Sequence, residues 1–130
     1  MILVDSSVWL TALNPSDPAA FKARIQLEEL LDLYMVSICD AVRFDVLQRI
    51  QPAQRAAFLS YFNQLPVLPA KAASWNIAVQ IAWEMQHLEL KLTQSEAIVV
   101  ALALQNQMPL FTLSDAQVQV NRIRRLRILQ

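Results

Sequence analysis

Four acidic residues stand where chemistry is worth looking for: Asp5, Asp45, Glu96 and Asp115. Asp5 ends the apolar run Met1-Ile2-Leu3-Val4, which suits a buried parallel strand. Ser6 or Ser7 can then cap a helix beginning Val8-Trp9-Leu10. This puts Asp5 at the carboxyl end of a strand, the edge where open α/β sheets place their ligands. Asp45 and Glu96 fall near the starts of helices, and Asp115 follows a strand ending at Thr112. Carboxylates converging at one sheet edge would concentrate a hard cation such as Mg²⁺ or Mn²⁺, which prefers oxygen ligands. Without a cation they would repel one another. Three of the four also have a plain explanation. Asp5 can be a helix cap, Thr93-x-x-Glu96 is a capping box, and Asp115 can cap a final helical turn. Asp45 has no such explanation, since it lies inside a helix between Phe44 and Val46, where a carboxylate is costly unless partnered or solvated.

The elements that must position these acids alternate between strand and helix. After the first strand and its short helix, Asn14-Pro15-Ser16-Asp17-Pro18 is a turn. Helical spacing runs from about Ala19 to Tyr34, and Met35-Val36-Ser37-Ile38 reads as a strand. Asp40 can cap a helix carrying Val42, Val46, Leu47 and Ile50, and Pro52 suits the first turn of the next, through Phe62. Proline restriction makes Leu65-Pro66-Val67-Leu68-Pro69 extended. A long helix follows over roughly 72 to 88, and another begins at Thr93-Gln94-Ser95-Glu96. The second is apolar nearly all round through Leu104, which predicts burial on most sides. Pro109-Leu110-Phe111-Thr112 is a strand, and Leu126-Arg127-Ile128-Leu129 a last edge strand. The alternation predicts a parallel-sheet α/β domain with helices on both faces.

Composition narrows the choices further. The 130 residues suit one domain, with 55% hydrophobic and 17% charged residues. No apolar stretch approaches the roughly 18 to 20 residues needed to cross a bilayer. The single cysteine, Cys39, excludes an internal disulfide and reads as a small core residue. With no basic, cleavable leader at the N-terminus, a cytoplasmic setting is expected. The chain contains no glycine, so a Gly-rich phosphate loop is impossible and P-loop or Rossmann nucleotide binding is dismissed. Helix ends that need a left-handed residue are expected to use Asn14, Asn63 and Asn106. Formal charge is zero, but Arg122, Arg124, Arg125 and Arg127 make a basic tail that could meet phosphates. A receiver-type phosphorylation pocket fits poorly, because Ser6-Ser7 follow the first strand and no lysine follows Lys91.

Four segments, taken in order, resemble the PIN domain family, specifically the single-domain VapC-type toxins of bacterial toxin–antitoxin pairs. They are Val4-Asp5-Ser6-Ser7-Val8-Trp9, Ala41-Val42-Arg43-Phe44-Asp45-Val46-Leu47, the helix Glu96-Ala97-Ile98-Val99-Val100-Ala101-Leu102-Ala103, and Pro109-Leu110-Phe111-Thr112-Leu113-Ser114. The opening motif with its Trp is fairly specific, and the others support one another. The resemblance implies a three-layer α/β/α sandwich with a central, mostly parallel sheet, formed as a single domain over 1–130. It implies a divalent-metal-dependent endoribonuclease in which Asp, Glu, Asp and a fourth Asp or Asn surround Mg²⁺ or Mn²⁺. Carried over, Asp5 matches the first acid, Asp45 stands where the family usually has Glu, and Glu96 where it usually has Asp. The fourth acid position holds Ser114, with Asp115 one step on. Ser6 and Thr112 match positions that frame the site. Arg43, Arg122, Arg124 and Arg125 are the candidates for holding an RNA backbone.

The exchanges between Asp and Glu move each oxygen by roughly one bond length, whereas metal distances tolerate only about 0.2 Å. The site is thereby retuned toward a less demanding ion or weakened, and a catalytically inactive RNA- or protein-binding module is the alternative reading. The resemblance also implies a cognate antitoxin and a homodimer. Trp9, Leu10, Leu13, Leu30, Leu31 and Leu33 are the apolar residues expected to serve such an interface. His87 is expected to be structural or solvent-facing.

Overall fold

The computed structural model describes residues 1–129, and among them five parallel strands are flanked by seven α-helices. The strands are β1 (Ile2–Val4), β2 (Val36–Cys39), β3 (Val67–Leu68), β4 (Leu110–Phe111) and β5 (Ile128–Leu129). The helices are α1 (Ser6–Ala12), α2 (Ala20–Asp32), α3 (Asp40–Leu47), α4 (Arg55–Phe62), α5 (Ala72–Gln86), α6 (Gln94–Gln105) and α7 (Asp115–Val118). A short 3₁₀ turn at Pro52–Gln54 leads into α4, and a second at Gln119–Arg122 follows α7. No helix among the described residues is long and apolar enough to cross a membrane.

Strand order is β3-β2-β1-β4-β5. The chain builds outward from β1 through β2 to β3, then crosses back and builds outward again through β4 to β5. The reversal leaves a crevice beyond the carboxyl ends of β1 and β4, the kind of place where open sheets bind ligands. Register fixes what stands there. Val4 pairs with Phe111, so Asp5 and Thr112 are the next residues on adjacent strands. Strands β1, β2 and β4 are buried throughout, so β1 and β4 are unbroken apolar runs and β2 admits only the small Ser37 as a polar residue. Helix α6 packs against α5 and α3, and its central residues Ala97 to Ala103 are all buried, as its uniform apolarity predicts.

The absence of glycine has a structural outcome that differs from expectation. Asn63 and Asn106 are C-caps with negative φ, and the left-handed positions are Tyr34, Glu89 and Gln107, with φ of 54°, 60° and 51°. Each closes a helix by the same pair of bonds. At the end of α2, Met35 N–H donates to Leu30 O and Tyr34 N–H to Leu31 O, both at 3.0 Å. Equivalent pairs end α5 (Leu90 to Met85, Glu89 to Gln86) and α6 (Met108 to Ala103, Gln107 to Leu104). The bond geometry, not residue preference, placed these residues, so each carries the cost of a Cβ in left-handed backbone, about 1–2 kcal/mol. Tyr34 is 89% exposed and has no packing to lose. Tyr34→Gly is therefore expected to raise stability by about 0.5–1 kcal/mol after the extra entropy of glycine is offset. A thermal melt that shows no rise would contradict the strain assigned to this position.

The apolar residues of the early helices divide unevenly. Trp9 is core, not surface, because α1 leans it onto Phe62 with ring centroids 4.8 Å apart. Leu33 and Leu13 are exposed, while Leu10, Leu30 and Leu31 are half-buried against the core. Between α1, α2 and α4 an apolar groove of about 450 Å³ remains, lined by Trp9, Leu13, Leu27, Leu31, Phe58 and Tyr61. Cys39 is buried, and burial pushes its thiol up to about 11, so it stays protonated and inert.

Candidate active site

Asp5 closes β1 and opens α1. Its N–H donates to Phe111 O at 2.9 Å, prolonging the ladder between β1 and β4. As the N-cap of α1, its Oδ2 accepts from Ser7 N–H at 3.0 Å. Capping is thus real, and Asp5 rather than Ser6 or Ser7 performs it. Capping leaves Oδ1 for another partner, the side-chain amide of Gln117, which donates to it at 3.1 Å. Asp5 is only 3% exposed. Burial raises its proton affinity above the ordinary carboxylate range, opposed by the bonds from Ser7 and Gln117 and reinforced by the charge of Glu96.

Glu96 belongs to the first turn of α6. The capping box is complete: Thr93 Oγ1 accepts from Glu96 N–H at 3.1 Å, and Glu96 Oε1 accepts from Thr93 N–H at 3.0 Å. Its second oxygen, Oε2, accepts from the hydroxyl of Ser114. Asp45 comes from α3, and its Oδ2 accepts from Ser6 Oγ at 2.9 Å and Ser95 Oγ at 2.5 Å. A carboxylate that looked misplaced in an apolar helix is accordingly the point where α1, α3 and α6 meet.

These three acids line one open hollow of about 380 Å³ together with Ser6, Ser95, Ser114 and Arg49. Thr112 stands behind it, fully buried, with its hydroxyl 3.2 Å from Ser7 Oγ and 2.5 Å from Gln117 Oε1. Ser114 also caps α7 and donates its N–H to Thr112 Oγ1 at 2.9 Å.

The remaining sequence candidates lie elsewhere. Asp115 is exposed in the first turn of α7, and its Oδ1 faces Gln119 Nε2 at 3.5 Å. One residue of displacement along a helix start turns a side chain by about 100°, which is why Ser114 and not Asp115 lines the hollow. Arg43 points away from Asp45, bonded to Asn63 Oδ1 at 2.5 Å and paired with Asp40. Arg124 makes a two-pronged bond with Glu84 of α5, at 3.0 and 2.6 Å. Arg122 is exposed, and Arg125 lines a different hollow at the far end of α6. Position 49 was not anticipated. Arg49 sits at the rim of the acidic hollow, its NH1 donating to Asp45 O at 2.7 Å, a cation satisfying a carbonyl at the end of α3. Ser95 and Gln117 were also missed, although Ser114-Asp115-Ala116-Gln117 has the spacing of a capping box.

The donor set decides which cation could fit. No group of three or more His, Cys, Asp or Glu among the described residues is close enough to hold one directly. Asp5 and Glu96 are near enough to feel each other's charge, and the ion pairs among the described residues, Arg43–Asp40 and Arg124–Glu84, lie outside the hollow. A pair of carboxylates surrounded by hydroxyls suits a cation that keeps several waters and takes one or two acidic ligands, as Mg²⁺ does.

No protein-family model and no curated relative matches the sequence. Solved structures do match in shape. FitAcB from Neisseria gonorrhoeae is 15% identical with a TM-score of 0.76, over 100% of this chain and 97% of that one. DNA-bound VapBC from Salmonella typhimurium is 15% identical with a TM-score of 0.71, over 98% and 96%. VapC20 of Mycobacterium tuberculosis, described as a toxin that cleaves the sarcin–ricin loop, is 17% identical with a TM-score of 0.70, over 92% and 95%. Across its length, therefore, this chain has the PIN-like α/β fold of VapC- and FitB-type toxins.

Proposed function

We propose that this PIN-fold chain is a divalent-metal-dependent endoribonuclease and the toxin half of a cytoplasmic toxin–antitoxin pair. One observation carries the reading: acids 40 and 51 residues apart along the chain, Asp5, Asp45 and Glu96, line a single hollow at the switch point of a parallel sheet. The description of VapC20 as a cleaver of the sarcin–ricin loop supports RNA as the substrate class.

In this reading Asp5 and Glu96 would hold Mg²⁺ or Mn²⁺, with Asp45 drawing it into the hollow. Bound there, the cation supplies Lewis-acid activation of water and neutralises charge on the phosphate oxygens. The chain's own groups do the rest. Ser6 and Ser95 donate to Asp45 and keep its charge fixed toward the hollow. Thr93 and Ser114 hold the two oxygens of Glu96 apart. Arg49 presents a guanidinium at the rim, where it can bind a phosphodiester oxygen and set the backbone across the acids. The basic tail, with Arg122 and Arg125 exposed, is available to a longer RNA.

The test is direct. Purified protein with Mn²⁺ or Mg²⁺ should cut structured RNA, and chelation should stop it. Intact RNA at millimolar metal would overturn the proposal. A second reading, a non-catalytic RNA- or protein-binding module, is favoured by Ser114 at the fourth acid position. Ser114→Asp separates them, because Asp can still cap α7 while adding a charge to the hollow. It is expected to tighten Mn²⁺ binding about tenfold, roughly 1.4 kcal/mol, and to raise cleavage. A purely binding module would gain no cleavage.

The apolar groove beside Trp9 and Phe58 is the place proposed for the apolar segment of an antitoxin. Complexes of toxin with antitoxin are among the structurally similar proteins, including one from Klebsiella pneumoniae. A homodimer belongs to the same reading, and a monomer by light scattering at micromolar concentration would count against it.

A further inference from the structure

We propose that Gln117 is the positioning residue of the acidic hollow, a neutral clamp that sets Asp5 and the first turn of α6 in the arrangement a divalent cation requires. The inference rests on the reading of the hollow as a cation site.

Gln117 is fully buried and is the one buried residue of α7. Its amide joins Asp5 and Glu96, 112 and 21 residues away in sequence, to the nearby Thr112. Nε2 donates to Asp5 Oδ1 at 3.1 Å and to Glu96 O at 3.3 Å, while Oε1 accepts from Thr112 Oγ1 at 2.5 Å. Its backbone N–H donates to Ser114 Oγ at 3.3 Å. One amide thereby ties the ends of β1 and β4 to the starts of α6 and α7. Its orientation is settled by its partners. A flipped amide would set its oxygen against a carboxylate and a carbonyl, and its nitrogen against a hydroxyl already accepting from Ser114 N–H.

Packing alone does not account for the residue. Leucine or methionine would bury α7 as well without desolvating an amide. What the amide adds is a donor for the inner oxygen of Asp5. An acid at this position would face Asp5 directly and add to the repulsion from Glu96. A neutral donor fixes the carboxylate and leaves the charge count of the hollow unchanged. Partners that orient ligand groups in this way typically account for 10- to 100-fold in metal affinity.

The experiment compares wild type, Gln117→Met and Gln117→Glu by Mn²⁺ calorimetry and by melting with and without Mn²⁺. Gln117→Met is expected to bind Mn²⁺ about 10- to 100-fold more weakly while remaining folded. Gln117→Glu is expected to melt lower without metal and to show a larger Mn²⁺-induced rise. Wild-type affinity in folded Gln117→Met, or an unchanged Mn²⁺-induced rise in Gln117→Glu, overturns the positioning role and leaves the cation reading standing. No Mn²⁺ binding by wild type overturns both. Should Gln117→Met fail to fold, Thr112→Val removes the hydroxyl that fixes the amide. It should weaken Mn²⁺ binding, and unchanged affinity overturns the proposal.

Discussion

Asp5→Asn is expected to lower RNA cleavage by about 10³-fold or more while leaving stability at neutral pH close to that of wild type. Both outcomes follow from how the carboxylate is held. Asp5 is held at 3% exposure with its charge desolvated, a cost that the bonds from Ser7 and Gln117 relieve in part and a bound cation would relieve further. Asn keeps the N-cap bond to Ser7 N–H, so α1 starts as before, but its amide nitrogen then replaces Oδ1 and faces Gln117 Nε2, donor against donor. Removing the charge loses the several kcal/mol of transition-state stabilisation a metal site supplies, hence the thousandfold estimate. It also relieves the desolvation, and the lost bond from Gln117, worth about 1 kcal/mol, offsets that gain.

The pH dependence follows from the same shift. Folding raises the proton affinity of Asp5 above its ordinary value of 3.8, so the folded chain binds more protons than the unfolded one between that value and the raised one. The penalty of ionised Asp5 is therefore full above the raised value and fades as pH falls toward 3.8. The stability of Asp5→Asn relative to wild type should fall as pH drops through that window. A D5N protein whose stability relative to wild type stays constant through that window, or one that still cuts RNA at the wild-type rate, would show that Asp5 is only a cap.

Glu96→Gln is the second decisive change, because Glu96 has a complete structural explanation in its capping box. Gln serves that box as well as Glu, returning a carbonyl oxygen to Thr93 N–H. Stability should consequently move by less than about 0.5 kcal/mol. Cleavage and Mn²⁺ affinity should nevertheless fall by about 10²-fold or more, since the charge that Asp5 senses across the hollow is gone. Thr93→Ala provides the reverse case. It removes the cap hydroxyl, costing about 1 kcal/mol in a denaturation experiment, and leaves both acids of the pair in place. If Glu96→Gln and Thr93→Ala lose activity equally, the charge of Glu96 has no role of its own.

The residues whose local pattern had one solution were legible before folding. Ile2-Leu3-Val4 ending on Asp5, the Thr93–Glu96 box and the uniformly apolar α6 each appear where their composition put them. The parallel sheet followed from alternation, because strands joined by helices must run the same way to bury both faces. Less legible was anything decided by one residue of rotation. Asp115 and Ser114 are both polar and adjacent, yet the cap bond from Gln117 N–H chooses Ser114 and turns Asp115 to solvent. Arg43 and Arg49 are both on or beside α3, and only Arg49 reaches the hollow. The left-handed residues follow the same logic, since bonds closing a helix take whichever residue stands there.

By itself, the amino-acid order determined that strands would end on Asp5 and near Thr112, that helices would begin at the two later acids, and that no glycine loop could bind a nucleotide. Such features depend on neighbours within a few positions, and short-range preference settles them. Tertiary structure alone decided that Ser6 and Ser95 would meet on Asp45, and that Gln117 would reach Asp5 across 112 residues of chain. Those contacts depend on how far α7 and α6 lean over the sheet, and packing of whole elements, not any local spacing, sets that distance.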